Sequence, residues 1–218
     1  MKYLAVLFDL DGTLLDTLDD LCDSMNAALA LNGFPGHPID AYRYFVGDGV
    51  ENLVRRALPK AAGQDDEIVR RVVPAMRGEY SRRWMIKTRP YEGIPELLDA
   101  LEARGVKLAV LSNKPHTATV EMMEHYFARW HFDAVLGARP GVPIKPDAGA
   151  ALEVCRSLGL PPDAFLYLGD TNTDMLTARA AGMLPVGALW GFRTADELKD
   201  SGAVELTAHP GDVLKLLS

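Results

Sequence analysis

The sequence predicts an α/β protein: a doubly wound parallel sheet interrupted by an all-helical insertion. Three observations predict it. Short apolar runs recur at residues 3–10, 107–112, 134–136, 165–168 and 184–188, the pattern of strands covered on both faces. Amphipathic stretches follow in alternation at 95–104, 115–126, 147–158 and 174–181, as βα links in a parallel sheet require. Between 16 and 87 this rhythm breaks, and no convincing strand occurs.

The elements follow in order. Tyr3 to Phe8 is an unbroken apolar run that stops at Asp9. Leu18, Leu21, Cys22, Met25 and Leu29 then recur at spacings of three and four, which is one face of a helix. Thr17 and Asp20 stand where a capping box would start that helix. Residues 50–58 and 65–85 continue the helical pattern, the second with a kink or division expected at Pro74. Pro95 suits a first helical turn, and Gly105, Gly159 and Gly182 sit where helices should stop. The expected organisation is therefore a core of 1–15 and 88–218 with a helical cap of 16–87, joined by two links that could act as one hinge.

The chain has 218 residues, is 48% hydrophobic and 24% charged, and carries a formal net charge of −7. The negative balance argues against non-specific binding to nucleic acid or an anionic membrane. It leaves room for a small anionic ligand in a locally cationic pocket. Lys2 and a short apolar run broken by Asp9 predict a strand, not a signal peptide. No apolar stretch approaches the ~18 residues of a membrane span. Cys22 and Cys155, far apart in helix-like segments, are expected as free thiols of a cytoplasmic protein. A monomer and a homodimer both fit the composition.

The chemistry gathers at predicted strand ends, where open parallel sheets bind ligands. Asp9 and Asp11 point to the same side of an extended chain just before a turn at Gly12 and Thr13. Burying two carboxylates together is costly unless a cation or protons neutralise them. Further strand ends and loops supply Ser112, Asn113 and Lys114, then Lys145 and Pro146, then Asp170 and Asp174. Asp9, Asp170 and Asp174 with the Asp11 carbonyl form an oxygen-rich donor set of the kind that holds Mg²⁺.

In these motifs the chain resembles the haloacid dehalogenase-like superfamily, over its whole length and including the helical insertion. Asp9-x-Asp11-Gly12-Thr13, Ser112-Asn113, Lys145-Pro146 and Gly169-Asp170-x-x-x-Asp174 appear in the family's order. Softer signals look most like its phosphoglycolate phosphatase branch: Val46-Gly47-Asp48-Gly49, Ser112-Asn113-Lys114-Pro115, Arg139-Pro140-Gly141 and Trp190-Gly191-Phe192-Arg193.

The resemblance implies a Rossmann-like core and a Mg²⁺-dependent phosphatase acting on a small anionic phosphorylated metabolite. It implies Asp9 as nucleophile, Asp11 as proton donor and acceptor, and Lys145 as a catalytic cation. Gly12, Thr13, Ser112, Asn113 and Lys145 would bind substrate, and Asp9, Asp11, Asp170 and Asp174 would serve the metal. Asn113 is expected to contribute backbone more than side chain. Asp11 favours phosphoryl transfer over dehalogenation, because halide displacement in this superfamily needs no second aspartate. A mutase or pyrophosphatase on the same core is the near alternative. A non-catalytic phospholigand-binding protein is the alternative of another class.

Overall fold

A computed structural model describes residues 3–217. In chain order the strands are β1 (Ala5–Phe8), β2 (Leu15–Asp16), β3 (Arg89–Pro90), β4 (Lys107–Pro115), β5 (Ala134–Ala138), β6 (Phe165–Gly169), β7 (Leu184–Ala188) and β8 (Glu205–Thr207). The helices are α1 (Leu18–Leu31), α2 (Ile39–Phe45), α3 (Val50–Ala57), α4 (Lys60–Gly63), α5 (Asp66–Ser81), α6 (Ile94–Ala103), α7 (His116–Phe127), α8 (Gly149–Leu158), α9 (Asn172–Ala181), α10 (Ala195–Asp200) and α11 (Val213–Leu216). The chain divides into two compact units. One runs to Leu15 and resumes at Pro90; the other is Asp16–Arg89.

The first unit is a doubly wound, Rossmann-like α/β domain. Its six strands are parallel and ordered β5-β4-β1-β6-β7-β8. The residues of β1 are wholly apolar and fully buried, which suits the position between two other strands. Ala5 and Leu7 pack with Ala151 and Val154 of α8 and Ala178 of α9. Val6 and Phe8, pointing the other way, are equally buried, so both faces of the sheet are covered. Burial of each such Leu or Phe side chain contributes roughly 1.5–3 kcal/mol.

Register then determines where the chemistry lies. Phe8 pairs with Val110 on one side and Leu168 on the other. The next residues, Asp9, Leu111 and Gly169, therefore reach the carboxyl edge of the sheet on one level, and three motifs meet there.

The second unit is helical throughout α1–α5. The α1 stripe of Leu18, Leu21, Cys22, Met25 and Leu29 is buried as its spacing predicts, and α1 packs on α5. The linking strands β2 and β3 pair as a two-stranded ribbon. No helix of the described residues is long and apolar enough to cross a membrane.

Several local expectations need correction. Helix α5 is not divided at Pro74 but runs through it. Pro74 lies on the exposed side, away from the buried stripe Val69, Val72 and Met76. Arg70, whose carbonyl loses its helical donor, is also exposed and can be hydrated. Strand β4 continues past Ser112 to Pro115. Short elements α2, α4, α10, α11 and β8 had no matching expectation.

The Thr17–Asp20 capping box does not form: no side chain caps α1, and the Thr17 hydroxyl is buried without a hydrogen-bond partner among the described residues. Asp20 has another task. Its buried carboxylate accepts the backbone N–H groups of Lys87 and Thr88 at 2.9–3.1 Å and the Thr88 hydroxyl at 2.8 Å. It thereby ties the first turn of the helical unit to the chain segment that leaves it. Replacing Asp20 with Ala strands these donors, and loss of such buried bonds costs about 2–4 kcal/mol in total. Urea unfolding followed by circular dichroism should show a midpoint lowered accordingly; a native midpoint would refute this role.

Candidate active site

The site is built on the carboxyl edge of β1, β4 and β6. Asp9 follows β1 directly, and its Oδ1 accepts the Leu10 N–H at 2.7 Å. Lys145 Nζ lies 2.8 Å from the same Asp9 oxygen and 2.6 Å from Asp174 Oδ1. All three side chains are buried. Lys145 is thus a bridge between two carboxylates, with its ammonium 5.9 Å from the Tyr167 ring centre. The Tyr167 hydroxyl donates to Asp174 Oδ1 at 3.4 Å.

Asp174 sits in the first turn of α9, where a carboxylate is favoured by the helix dipole. Its Oδ2 accepts the Thr171 N–H at 3.0 Å and the Thr171 hydroxyl at 2.7 Å. Both Asp174 oxygens are therefore engaged. Asp170 is held from two sides: Thr13 Oγ1 donates to its Oδ1 at 2.8 Å, and Phe192 N–H to its Oδ2 at 2.9 Å.

Two glycines make this packing possible. Gly12 has φ of +86°, and a Cβ there would lie 2.3 Å from Asp170 Oδ2. A Cβ on Gly191 would lie 2.2 Å from Asp170 Cβ. Trp190 Nε1 donates to the Thr13 carbonyl at 2.9 Å, fastening the late loop to the first motif.

Electrostatics follow from burial. Asp9 lies well above the usual carboxylate range, first because it is desolvated and then because Asp174 faces it, and Lys145 offsets this only in part. Burial, with Asp174 second, pushes Asp170 up to about 7. Burial pulls the Lys145 ammonium down, but Asp174 and Asp9 more than offset it and hold it well above the ordinary lysine value. The cluster carries more negative charge than one ammonium balances.

Asp9, Asp170 and Asp174 each place one carboxylate oxygen within 4.8 Å of the others, close enough to hold one ion. Three buried hard oxygen donors with unbalanced charge fit a small divalent cation such as Mg²⁺. The Asp11 carboxylate lies outside that trio; Lys114 Nζ holds both its oxygens, at 3.0 and 2.9 Å.

The other expected residues fall around this centre. Ser112 is buried, and its hydroxyl accepts the Lys114 N–H at 3.2 Å. The Gly12 N–H goes to the Leu15 carbonyl and the Thr13 N–H to the Leu10 carbonyl, so these donors stiffen the turn itself. The Asn113 side chain is engaged elsewhere: it clamps the backbone of Lys145, donating to the Lys145 carbonyl at 3.1 Å and accepting its N–H at 2.9 Å. It sets the position of the central cation.

Sequence reasoning missed the Tyr167 and Thr171 contacts to Asp174 and the close approach of Gly191 to Asp170. The Trp190–Arg193 stretch carries a signal in the sequence, but nothing in one dimension links it to Asp170.

Comparisons with known proteins point to one family. The model of the haloacid dehalogenase-like hydrolase family matches residues 6–188. A phosphoglycolate phosphatase of Nitrosospira multiformis is 35% identical over 180 residues, covering 82% of this chain and 79% of its own. A phosphoglycolate phosphatase of Mannheimia succiniciproducens is 33% identical and covers 99% of both chains. The crystal structure of a candidate phosphoglycolate phosphatase from Lactobacillus delbrueckii subsp. bulgaricus superposes with a TM-score of 0.93 at 33% identity, over 100% of this chain and 99% of that one.

The raised Asp170 value gives a signed expectation. Between the ordinary carboxylate value of 3.8 and about 7, the metal-free folded chain keeps a proton that the unfolded chain has lost. Its stability from this group therefore falls as pH rises through that window. A cation that binds the ionised cluster restores it. Scanning calorimetry should find that Mg²⁺ raises the unfolding midpoint more near pH 8 than near pH 5; an equal rise at both would contradict the assignment.

From its full-length relatives, its family model and the four motifs gathered at one sheet edge, the chain belongs to the haloacid dehalogenase-like hydrolases.

Proposed function

We propose that this chain is a Mg²⁺-dependent, cytoplasmic phosphomonoesterase that hydrolyses a small substrate of the 2-phosphoglycolate kind through an aspartyl-phosphate on Asp9. The observation that carries this reading is the buried Asp9–Lys145–Asp174 bridge beside Asp170. Relatives named phosphoglycolate phosphatase support the choice of substrate. Cys22 and Cys155, both free and buried, support the compartment.

Asp9, Asp170 and the Asp11 carbonyl would hold Mg²⁺, whose charge offsets the repulsion between the Asp9 carboxylate and a phosphate dianion; at ~4 Å and a dielectric near 20 each unit pair is worth roughly 4 kcal/mol. The two bonds described for Asp9 both use Oδ1, and Oδ2 is the atom assigned to the attack.

The Asp9–phosphorus bond forms as the ester bond breaks, and Asp11 gives its proton to the departing oxygen. A water then attacks phosphorus, passes its proton to Asp11 and frees Asp9. Lys145 neutralises Asp9 on arrival and steadies a phosphoryl oxygen during transfer. The Ser112 hydroxyl and the Asn113 N–H are assigned to the remaining phosphoryl oxygens. Asp174, with both oxygens engaged, positions Lys145.

Phosphate release from 2-phosphoglycolate and a panel of small phosphomonoesters, with and without Mg²⁺, tests the reading. Turnover should require Mg²⁺. Asp9→Asn should lower it by roughly 10³-fold or more, and Asp11→Asn by about 10²–10⁴-fold with the fold retained. Equal rates for the native chain and Asp9→Asn would remove the nucleophile.

A further inference from the structure

The mechanism above leaves one buried charge at the sheet edge without a task. Lys114 lies at the end of β4, and its side chain is only 6% exposed. Burying an ammonium is costly, so its presence at this depth calls for an anion. Asp11 supplies one in this structure, with both carboxylate oxygens turned to Lys114 Nζ at 3.0 and 2.9 Å.

Three further features place Lys114 in the path of the leaving group. First, Asp11, the partner of Lys114, is the most exposed member of the cluster: its side chain is 13% exposed, against 7% for Asp9, 1% for Lys145 and 0% for Asp174. The organic part of a substrate therefore leaves the cluster past Asp11. Second, Lys145 is already bound between Asp9 and Asp174, so it is committed to the reacting end. Third, Asp11 is the group assigned to the ester oxygen, so when substrate arrives Lys114 shares its partner with the leaving group. The ammonium has three donors and can turn one of them to a second acceptor there.

A 2-phosphoryloxy carboxylate brings that acceptor with it. Its carboxylate is attached to the ester carbon, so its oxygens lie roughly 3 Å from the ester oxygen. Asp11 reaches the ester oxygen at hydrogen-bond distance, about 3 Å. Lys114, in contact with Asp11, then stands within reach of the carboxylate. A lysine suits this exchange because its ammonium has three donors on a flexible stem and can pivot between acceptors.

We propose that Lys114 is a specificity-determining residue that receives the carboxylate of the leaving group, so that the site selects phosphomonoesters carrying a carboxylate on the ester carbon. The proposal rests on the phosphatase reading above and names the part of its substrate that this chain recognises.

The test compares 2-phosphoglycolate with ethyl phosphate, which has the same two carbons without the carboxylate. The quantity read is the ratio of their kcat/KM values for the native chain, Lys114→Met and Lys114→Arg. The native ratio should strongly favour 2-phosphoglycolate. Lys114→Met should lower it roughly 10–100-fold, the worth of one charge-assisted contact. The loss should fall mainly on KM. Lys114→Arg should keep most of the preference. If Lys114→Met does not fold, judged by circular dichroism, Lys114→Gln gives the same ratio.

Equal losses on both substrates, leaving the ratio unchanged, would show that Lys114 only positions Asp11 and would overturn the proposal. A native chain that hydrolyses both esters without preference would overturn it too, while leaving the phosphatase reading intact. A native chain that hydrolyses neither ester nor any of the panel would end both.

Discussion

A buried ammonium held between two buried carboxylates is the constraint on which this molecule turns. Lys145 lies within 2.8 Å of both Asp9 and Asp174, and all three are buried. Removing any partner from such a group leaves an uncompensated charge in a low-dielectric setting. Much of the surrounding structure serves to keep the three together. Asn113 clamps the Lys145 backbone, Thr171 fixes Asp174, and the Leu10 N–H fixes Asp9. The sheet provides the level: β1 between β4 and β6 brings segments from distant parts of the chain to one edge.

The arrangement is deliberately short of positive charge. Asp170 joins the same wall, held by Thr13 and by the Phe192 N–H, with Gly12 and Gly191 giving it room. Burial first, and Asp174 second, raise Asp9 and Asp170, and one ammonium cannot neutralise three carboxylates. The same shortage, unfavourable by itself, is what would give a divalent cation its affinity here. Lys114, paired with Asp11, adds a second buried cation to the same sheet edge.

The fold was largely legible because apolar runs and helical stripes are local signals. The β1 run, the α1 stripe and the alternation after residue 90 each state their period within a few residues. The principal carboxylates and Lys145 were legible as motifs at strand ends. Less legible were pairings made through space. Lys114 and Asp11 are 103 positions apart, and no spacing rule connects them. The Asn113 clamp on Lys145 was not legible either, because a side chain that holds another residue's main chain leaves no pattern. Asp20 shows the opposite failure: its spacing from Thr17 matched a local cap, but a longer-range demand from Lys87 and Thr88 won. Helix α10 carried a legible signal that went unused, since Thr194 and Glu197 form a capping box. Strand β8 is only three residues long, too short to display a period.

The most direct measurement is to quench the reaction of the Mg²⁺-loaded enzyme with isotope-labelled 2-phosphoglycolate in acid within milliseconds and map the label by peptide mass spectrometry. The account predicts an acid-stable phosphoryl group on the peptide containing Asp9, absent in Asp9→Asn. Label on a different side chain, or turnover with no phosphoryl-enzyme at any quench time, would contradict it.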